Sequence, residues 1–206
     1  MTAILKVDEI QDTSGNLIIK EDSNTITVGA SGDTITIPSG ATISNSGTAT
    51  GFGGITMVDQ WRLTADYTWS SPGNLTSNLE QVDGTNQGTL GTGMSESSGV
   101  FTFPSTGIYI VRFSAQQYKN GDRRDIQINI TTTSDNSSYA NIAECITHIT
   151  QSASSTTYIQ GMTETILDIT DTSNQKVKFA VFTDATTAGS STKNKTFMTF
   201  IRLGDT

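Results

Sequence analysis

Residues 101–113 read FTFPSTGIYIVRF, and their pattern decides the fold class. Phe101 and Phe103 flank Thr102, and Tyr109, Val111 and Phe113 resume the same alternation beyond a Pro104-Ser105-Thr106-Gly107 interruption. Aromatic and β-branched residues on one parity of a period-two pattern mark a strand with one buried face. Pro104 has no N–H to leave unpaired and Gly107 tolerates φ > 0, so the interruption predicts a bend with pairing on either side of it. Working outward, alternating segments separated by turn residues recur at 57–64, 99–116, 125–132, 141–150, 157–170, 176–183 and 196–203. In the 176–183 segment Val177, Phe179 and Val181 share one face, and Lys178, Ala180 and Phe182 the other. No window sustains an apolar 3.6-residue period. Many strands without helical crossovers predict an all-β protein built as an antiparallel sandwich or barrel. Asn120-Gly121 predicts a tight hairpin turn, because both residues tolerate φ > 0.

With 206 residues the chain has room for one ordinary domain and an extension, and 34% hydrophobic content is low for a compact globule. Abundant Ser, Thr and Gly favour strands and turns, since β-branched Thr loses rotamer freedom in a helix. A net charge of −8 argues against a nucleic-acid partner, whose phosphates demand clustered Lys and Arg. Arg123 and Arg124 read as scattered members of a small basic set. The opening MTAILKVDEI carries acids within its first ten residues, and no 18-residue apolar run follows. The expectation is a soluble protein without membrane insertion that is not exported by the usual route. A single cysteine, Cys145, forms no intrachain disulfide and no cysteine-rich metal site, and reads as a small buried hydrophobe.

The N-terminal quarter has its own rhythm. Leu17 and Ile19, Ile26 and Val28, Ile35 and Ile37, then Ile43 recur at offsets of nine, nine and eight residues, with Gly, Asn, Asp and Ser between them. One strand and one turn per unit cannot bury an apolar face within a single chain, so the pattern predicts winding or stacking with copies of itself. The competing reading is a disordered Gly/Ser linker, which gives no reason for paired, alternating Ile and Val. The predicted division is an anchor segment over 1–16, a short-repeat β shaft over 17–46, a Gly-rich collar over 47–57 including GTATGFGG, and a head over 58–206. Ile26, Val28, Ile35 and Ile37 are the candidate shaft residues that meet their counterparts from other chains.

The Phe-to-Gly-to-Tyr spacing of FTFPSTGIYIVRF resembles the signature of the globular heads of complement-first-component-q-like proteins, relatives of the tumour-necrosis-factor jelly roll. Thr106 stands where that family has Pro, and Val111 where it has an aromatic. The C-terminal TFMTFIRL, residues 196–203, is similar to the family's last strand. The resemblance implies a jelly-roll head that assembles as a homotrimer on a stalk holding three chains in parallel. ILKVDEIQDTSGN, residues 4–16, resembles the opening of structural proteins of marine bacterial viruses. That likeness implies a virion location, attachment to other virion proteins through the N-terminal segment, and a fibre or spike of a tailed bacteriophage. Its work would be adhesion to a host surface glycan or protein. The alternatives are a capsid fibre or decoration protein, a glycan-degrading tailspike, and a secreted ligand head.

No catalytic site is predicted. A nucleophilic hydrolase needs a base beside its Ser or Cys, and the chain has one histidine, His148, and no Gly-x-Ser-x-Gly elbow. The run GTLGTG, Gly88 to Gly93, lacks dinucleotide spacing and reads as a loop. Glu96, Glu144, Glu164, Asp168 and Asp171 offer carboxylates for a glycosidase pair, but acids in a β-protein ordinarily form a solvated face. His148, on the parity of Glu144 and Ile146, would need copies of itself to hold a metal, and no calcium-loop spacing occurs, so no metal or cofactor is expected. In heads of the resembled family the C-terminus lies at the stalk, which puts the loops 184–195 and 151–156 at the tip and 171–175 at the stalk side. Thr186, Thr187, Ser190, Lys193 and Lys195 of the first loop, with Ser152 and Ser154 of the second, are the candidate binding residues.

Overall fold

The alternation in residues 101–113 becomes a buried face: Phe101, Phe103, Tyr109, Val111 and Phe113 are shielded from solvent almost completely. The computed structural model describes residues 9–15, 17–23, 25–44, 55–69 and 73–206. The chain divides into two units, residues 1–50 and 51–206.

In the first unit, strands β1 (Glu9–Gln11), β2 (Leu17–Asp22) and β3 (Thr25–Val28) form an antiparallel meander in chain order. It has no interior. Ile26 is 70% exposed and Ile35 61%, and Val28 and Ile37 are exposed as well. The expected strand around Ile35 and Ile37 is not formed within the single chain. After β3, Gly29 at φ 81° donates to the Ile18 carbonyl, and a turn closed by Asp33 N to Ala30 O follows. Most of the anchor segment and of the collar lies outside the described residues.

The second unit contains β4 (Met57–Leu63), β5 (Tyr67–Thr68), β6 (Gly73–Asn74), β7 (Leu79–Gln81), β8 (Ser95–Ser97), β9 (Val100–Thr102), β10 (Gly107–Lys119), β11 (Arg123–Thr133), β12 (Ala140–Ile149), β13 (Thr157–Ile169), β14 (Lys176–Phe182), β15 (Thr186–Thr187) and β16 (Phe197–Gly204). They make two antiparallel sheets. One runs β5-β15-β10-β16-β4-β7 with β13 on the other side of β10, and the second runs β12-β11-β14-β9-β8 with β6 beside β14. Phe101, Phe113, Phe179 and Phe200 meet between the sheets with ring centroids 5.1–5.9 Å apart, edge-on or tilted as aromatic quadrupoles prefer.

The bend at Pro104 does more than kink a strand, because β9 and β10 belong to different sheets and the bend carries the chain across the sandwich. Tyr109 Oη donates to the Ser105 carbonyl at 2.9 Å and locks it. Gly107 sits at φ 142° with the Gly204 carbonyl 2.5 Å from where a Cβ would be, so a side chain there is excluded. Asn120-Gly121 is corrected in the same way. It joins β10 to β11, which are not paired, so it is a corner between sheets and not a hairpin turn. Both positions show turn chemistry, but turn chemistry does not specify which strand receives the chain next.

Registry sets the two ends. At the near end Gly107 faces Ile169, Ile108 faces Gly204 and Arg202 faces Met57, so the first and last strands meet there. At the far end Tyr118 faces Tyr158 on one side and Thr186 on the other.

Candidate functional site

The far end gathers the corner 120–122, the loop 150–156 and the segment 183–196, the two latter containing the predicted tip loops 151–156 and 184–195. The 171–175 loop lies at the near end, beside Ile169. Lys119 Nζ lies 2.7 Å from Asp184 Oδ2, and Arg123 Nε lies 3.3 Å from Asp184 Oδ1, so one carboxylate clips the corner to the start of the 183–196 segment. Gln151 N donates to Asp122 Oδ1 at 2.7 Å and ties the 150–156 loop to the same corner. The hydrogen bond from the Lys119 ammonium holds the Asp184 carboxyl below its ordinary value; burial opposes it, and the Arg123 charge adds to the lowering.

A second clip stands beside it. Tyr118 Oη donates to Asp66 Oδ2 at 2.6 Å and Gly189 N to Asp66 Oδ1 at 2.9 Å. Burial works to raise the Asp66 carboxyl, but these two donors with the Lys195 charge bring it below its ordinary value. The same bond pushes the Tyr118 hydroxyl up. Tyr118 and Tyr158 lie tilted with centroids 5.2 Å apart, and Tyr158 is exposed.

The candidate residues divide accordingly. Thr187 is 0% exposed and its Oγ1 accepts a 2.8 Å bond from Trp69 Nε1, so it is part of the wall and unavailable to a partner. The physical reason is that Thr186–Thr187 is strand β15, seated between β5 and β10. Gly189 packs so closely on Ala65 that a Cβ would lie 2.2 Å from its carbonyl oxygen. Thr186 and Ser190 are half-buried, and Ser190 Oγ accepts from Thr192 N and Lys193 N in a local turn. Lys193, Ser152 and Ser154 are exposed and Lys195 half-buried. The loop free to meet a partner is therefore 190–195, shorter than expected.

Between the ends of β11 and β12, a groove of about 290 Å³ is lined by Asp122, Arg123, Arg124, His148, Ile149 and Thr150. Arg123 faces Ile149 across the hairpin, which brings together the two arginines and the histidine that look unrelated in sequence. The carboxylates considered for glycosidase chemistry are not assembled. Glu164 pairs with Arg112, Glu144 accepts from Gln127 and Asn141, Glu96 accepts from Gly99 N, and Asp171 closes its own turn. Among the described residues no group of three His, Cys, Asp or Glu side chains is placed to hold a metal ion.

A different surface is legible on the outer face of the larger sheet. Ile166, Ile110, Ile201 and Val58 are directly opposite one another on β13, β10, β16 and β4, and form an apolar row across four strands. Ile166 is 64% exposed and the other three are half-buried. The adjacent row holds Glu164, Arg112, Thr199 and Gln60, and the next begins with exposed Met162.

No family model and no curated protein matches the chain. Solved structures do. Murine APRIL at pH 8.0 aligns with a TM-score of 0.52 at 12% identity, over 71% of this chain and 98% of that one. Eiger TNF from S. frugiperda aligns with a TM-score of 0.56 at 11% identity, over 72% and 93%. The fold is a TNF-like jelly roll. At these identities the likeness concerns the path of the chain alone, and it agrees with the head implied by FTFPSTGIYIVRF and TFMTFIRL.

Proposed function

We propose that the protein is a homotrimeric fibre or spike of a virion, with its N-terminal unit as shaft and its jelly roll as an adhesive head. The observation that carries this reading is the apolar row Ile166-Ile110-Ile201-Val58, together with exposed Ile26, Val28, Ile35 and Ile37 in the N-terminal unit. Both units leave apolar surface uncovered, and such contiguous patches mark association sites. A parallel assembly of identical chains covers both at once, which closed rotational symmetry permits. The likeness of residues 4–16 to virion structural proteins supports the location, and attachment to the particle goes through that segment. The far end then faces outward, with Lys193, Ser152 and Ser154 accessible to a host surface glycan or protein.

Two measurements test the reading. Antibody-gold labelling of purified particles should decorate a fibre on the tail. Label on the capsid shell makes it a decoration protein, and no label removes it from the virion. Exchanging residues 190–195 for Gly and Ser should abolish host-cell binding with oligomer and melting temperature retained. Undiminished binding by the exchanged protein moves recognition away from that loop.

A further inference from the structure

We propose that the groove between the ends of β11 and β12 binds the acidic group of a polysaccharide, a carboxylate or sulfate ester, through Arg123, Arg124 and His148. The inference deepens the adhesive reading and rests on it for the source of the ligand. Arg123 makes its contacts through Nε alone, to Asp184 Oδ1 at 3.3 Å and to the Asp125 carbonyl at 2.9 Å. Arg124 uses Nε for Asp125 Oδ2 at 3.1 Å, and its side chain is otherwise 92% exposed. Among the described residues no hydrogen bond engages the terminal guanidinium nitrogens of either arginine or the ring of His148. Both guanidinium groups and the imidazole of residues that line the groove thus keep nitrogens without an internal partner, donors that suit a carboxylate or sulfate.

The groove lies among many of the chain's basic residues. The chain carries a net charge of −8, yet Lys119, Arg123, Arg124, Lys193 and Lys195, from its 12 Lys and Arg, all stand at the far end. Four carboxylates stand there too, each with an internal partner: Asp184 with Lys119 and Arg123, Asp125 with Arg124, Asp122, which lines the groove, with Gln151 N, and Asp66 with Tyr118. The rest of the surroundings is hydroxyl-bearing: Thr150 lines the groove, and exposed Ser152 and Ser154 follow in the same loop. A ligand that is both anionic and polyhydroxylated meets both sets. Arg123 is held in place by the same carboxylate that fastens the 183–196 segment, so the groove is preorganised before any ligand arrives.

The test uses the full-length protein on surfaces bearing dextran sulfate, polygalacturonate, neutral dextran and single-stranded DNA. Wild type should bind one or both acidic polysaccharides, with affinity falling as salt rises, and should ignore neutral dextran. Arg124→Glu combined with His148→Gln should weaken that binding by about tenfold or more, because exposed charge-assisted donors are replaced by a like charge. The melting temperature should hold, since both side chains are exposed. Equal binding by the double variant, absence of binding to both acidic polysaccharides, or tighter binding to DNA overturns the proposal. Host-cell binding separates it from the adhesive reading. If wild type and the double variant adhere equally, adhesion stands and the groove falls. If wild type does not adhere but its polysaccharide binding depends on Arg124 and His148, the groove stands and adhesion falls.

Discussion

Replacing Ile166 by Glu should dissociate the proposed trimer and leave the monomer folded. Ile166 is 64% exposed and stands in the row with Ile110, Ile201 and Val58. Complete burial of an Ile side chain is worth about 1.5–3 kcal/mol, so covering the exposed part contributes about 1–2 kcal/mol per chain. Glu removes that gain and puts a carboxylate into each copy of a desolvated contact, where an unpaired ion costs several kcal/mol. Across three chains the loss is on the order of 10 kcal/mol, about seven decades in the association constant. In the single chain the substitution is a surface change worth about 0.5 kcal/mol at most. Light scattering at micromolar concentration should give about three times 21.9 kDa for wild type and about 21.9 kDa for the variant. Ile146 supplies the control, because it is 58% exposed on the outer face of the other sheet and Ile146→Glu should leave the assembly whole. An Ile166→Glu protein that keeps the wild-type mass and melting profile would refute the argument, as would a monomeric wild type.

Two further outcomes follow from buried and clipped acids. Asp59, fully buried, accepts from Met94 N at 2.7 Å, Trp61 Nε1 and Gln81 Nε2 at 2.9 Å and Thr89 Oγ1 at 3.3 Å. Asp59→Ala orphans these donors and should cost about 3–5 kcal/mol, lowering the melting temperature by roughly 10 °C; a calorimetric shift of a degree or two would contradict it. Asp66 and Asp184 both have carboxyls held below their ordinary 3.8, so their contribution is present above that value and is lost as pH falls through the depressed ones. The far end should therefore loosen below about pH 4 before the core does. Hydrogen exchange at Gly189 N, corrected for intrinsic rate, should accelerate on acidification, and undiminished protection there would show that the Asp66 clip is dispensable.

The parts of the fold legible in the sequence are those where alternation runs long enough to have a phase. β10, β13, β14 and β16 each present several inward residues in step, so their extents were readable to within a few residues. Tyr67–Thr68, Gly73–Asn74, Leu79–Gln81, Ser95–Ser97 and Thr186–Thr187 have two or three residues, too few to show a period. Thr187 illustrates the cost of that brevity. Two threonines in a polar loop read as exposed, and only pairing with β5 and β10 puts one against Trp69. The groove was illegible for a related reason. Arg123 and Arg124 open β11 while His148 closes β12, and nothing local says that the hairpin sets Arg123 opposite Ile149.

Strand parity explains why partner surfaces are easier to read than binding grooves in such a protein. Along β10 the inward set Tyr109, Val111 and Phe113 is fully buried, and the sandwich needs nothing more from that strand to form its core. Ile108 and Ile110 lie on the opposite parity, yet they are as apolar as the core set. Apolar residues on the outer parity of a two-layer fold are surplus to folding, and an antiparallel sheet facing water would ordinarily place polar residues there. That surplus recurs at Ile166 and Met162 of β13, Ile201 of β16 and Val58 of β4, always on the outer face of the same sheet. It is interrupted by the row of Glu164, Arg112, Thr199 and Gln60, where Arg112 pairs with Glu164 and Gln60 Nε2 donates to Thr199 Oγ1. A polar row satisfied within one chain can lie beside an apolar row and be covered with it, because it brings no unpaired group into the contact.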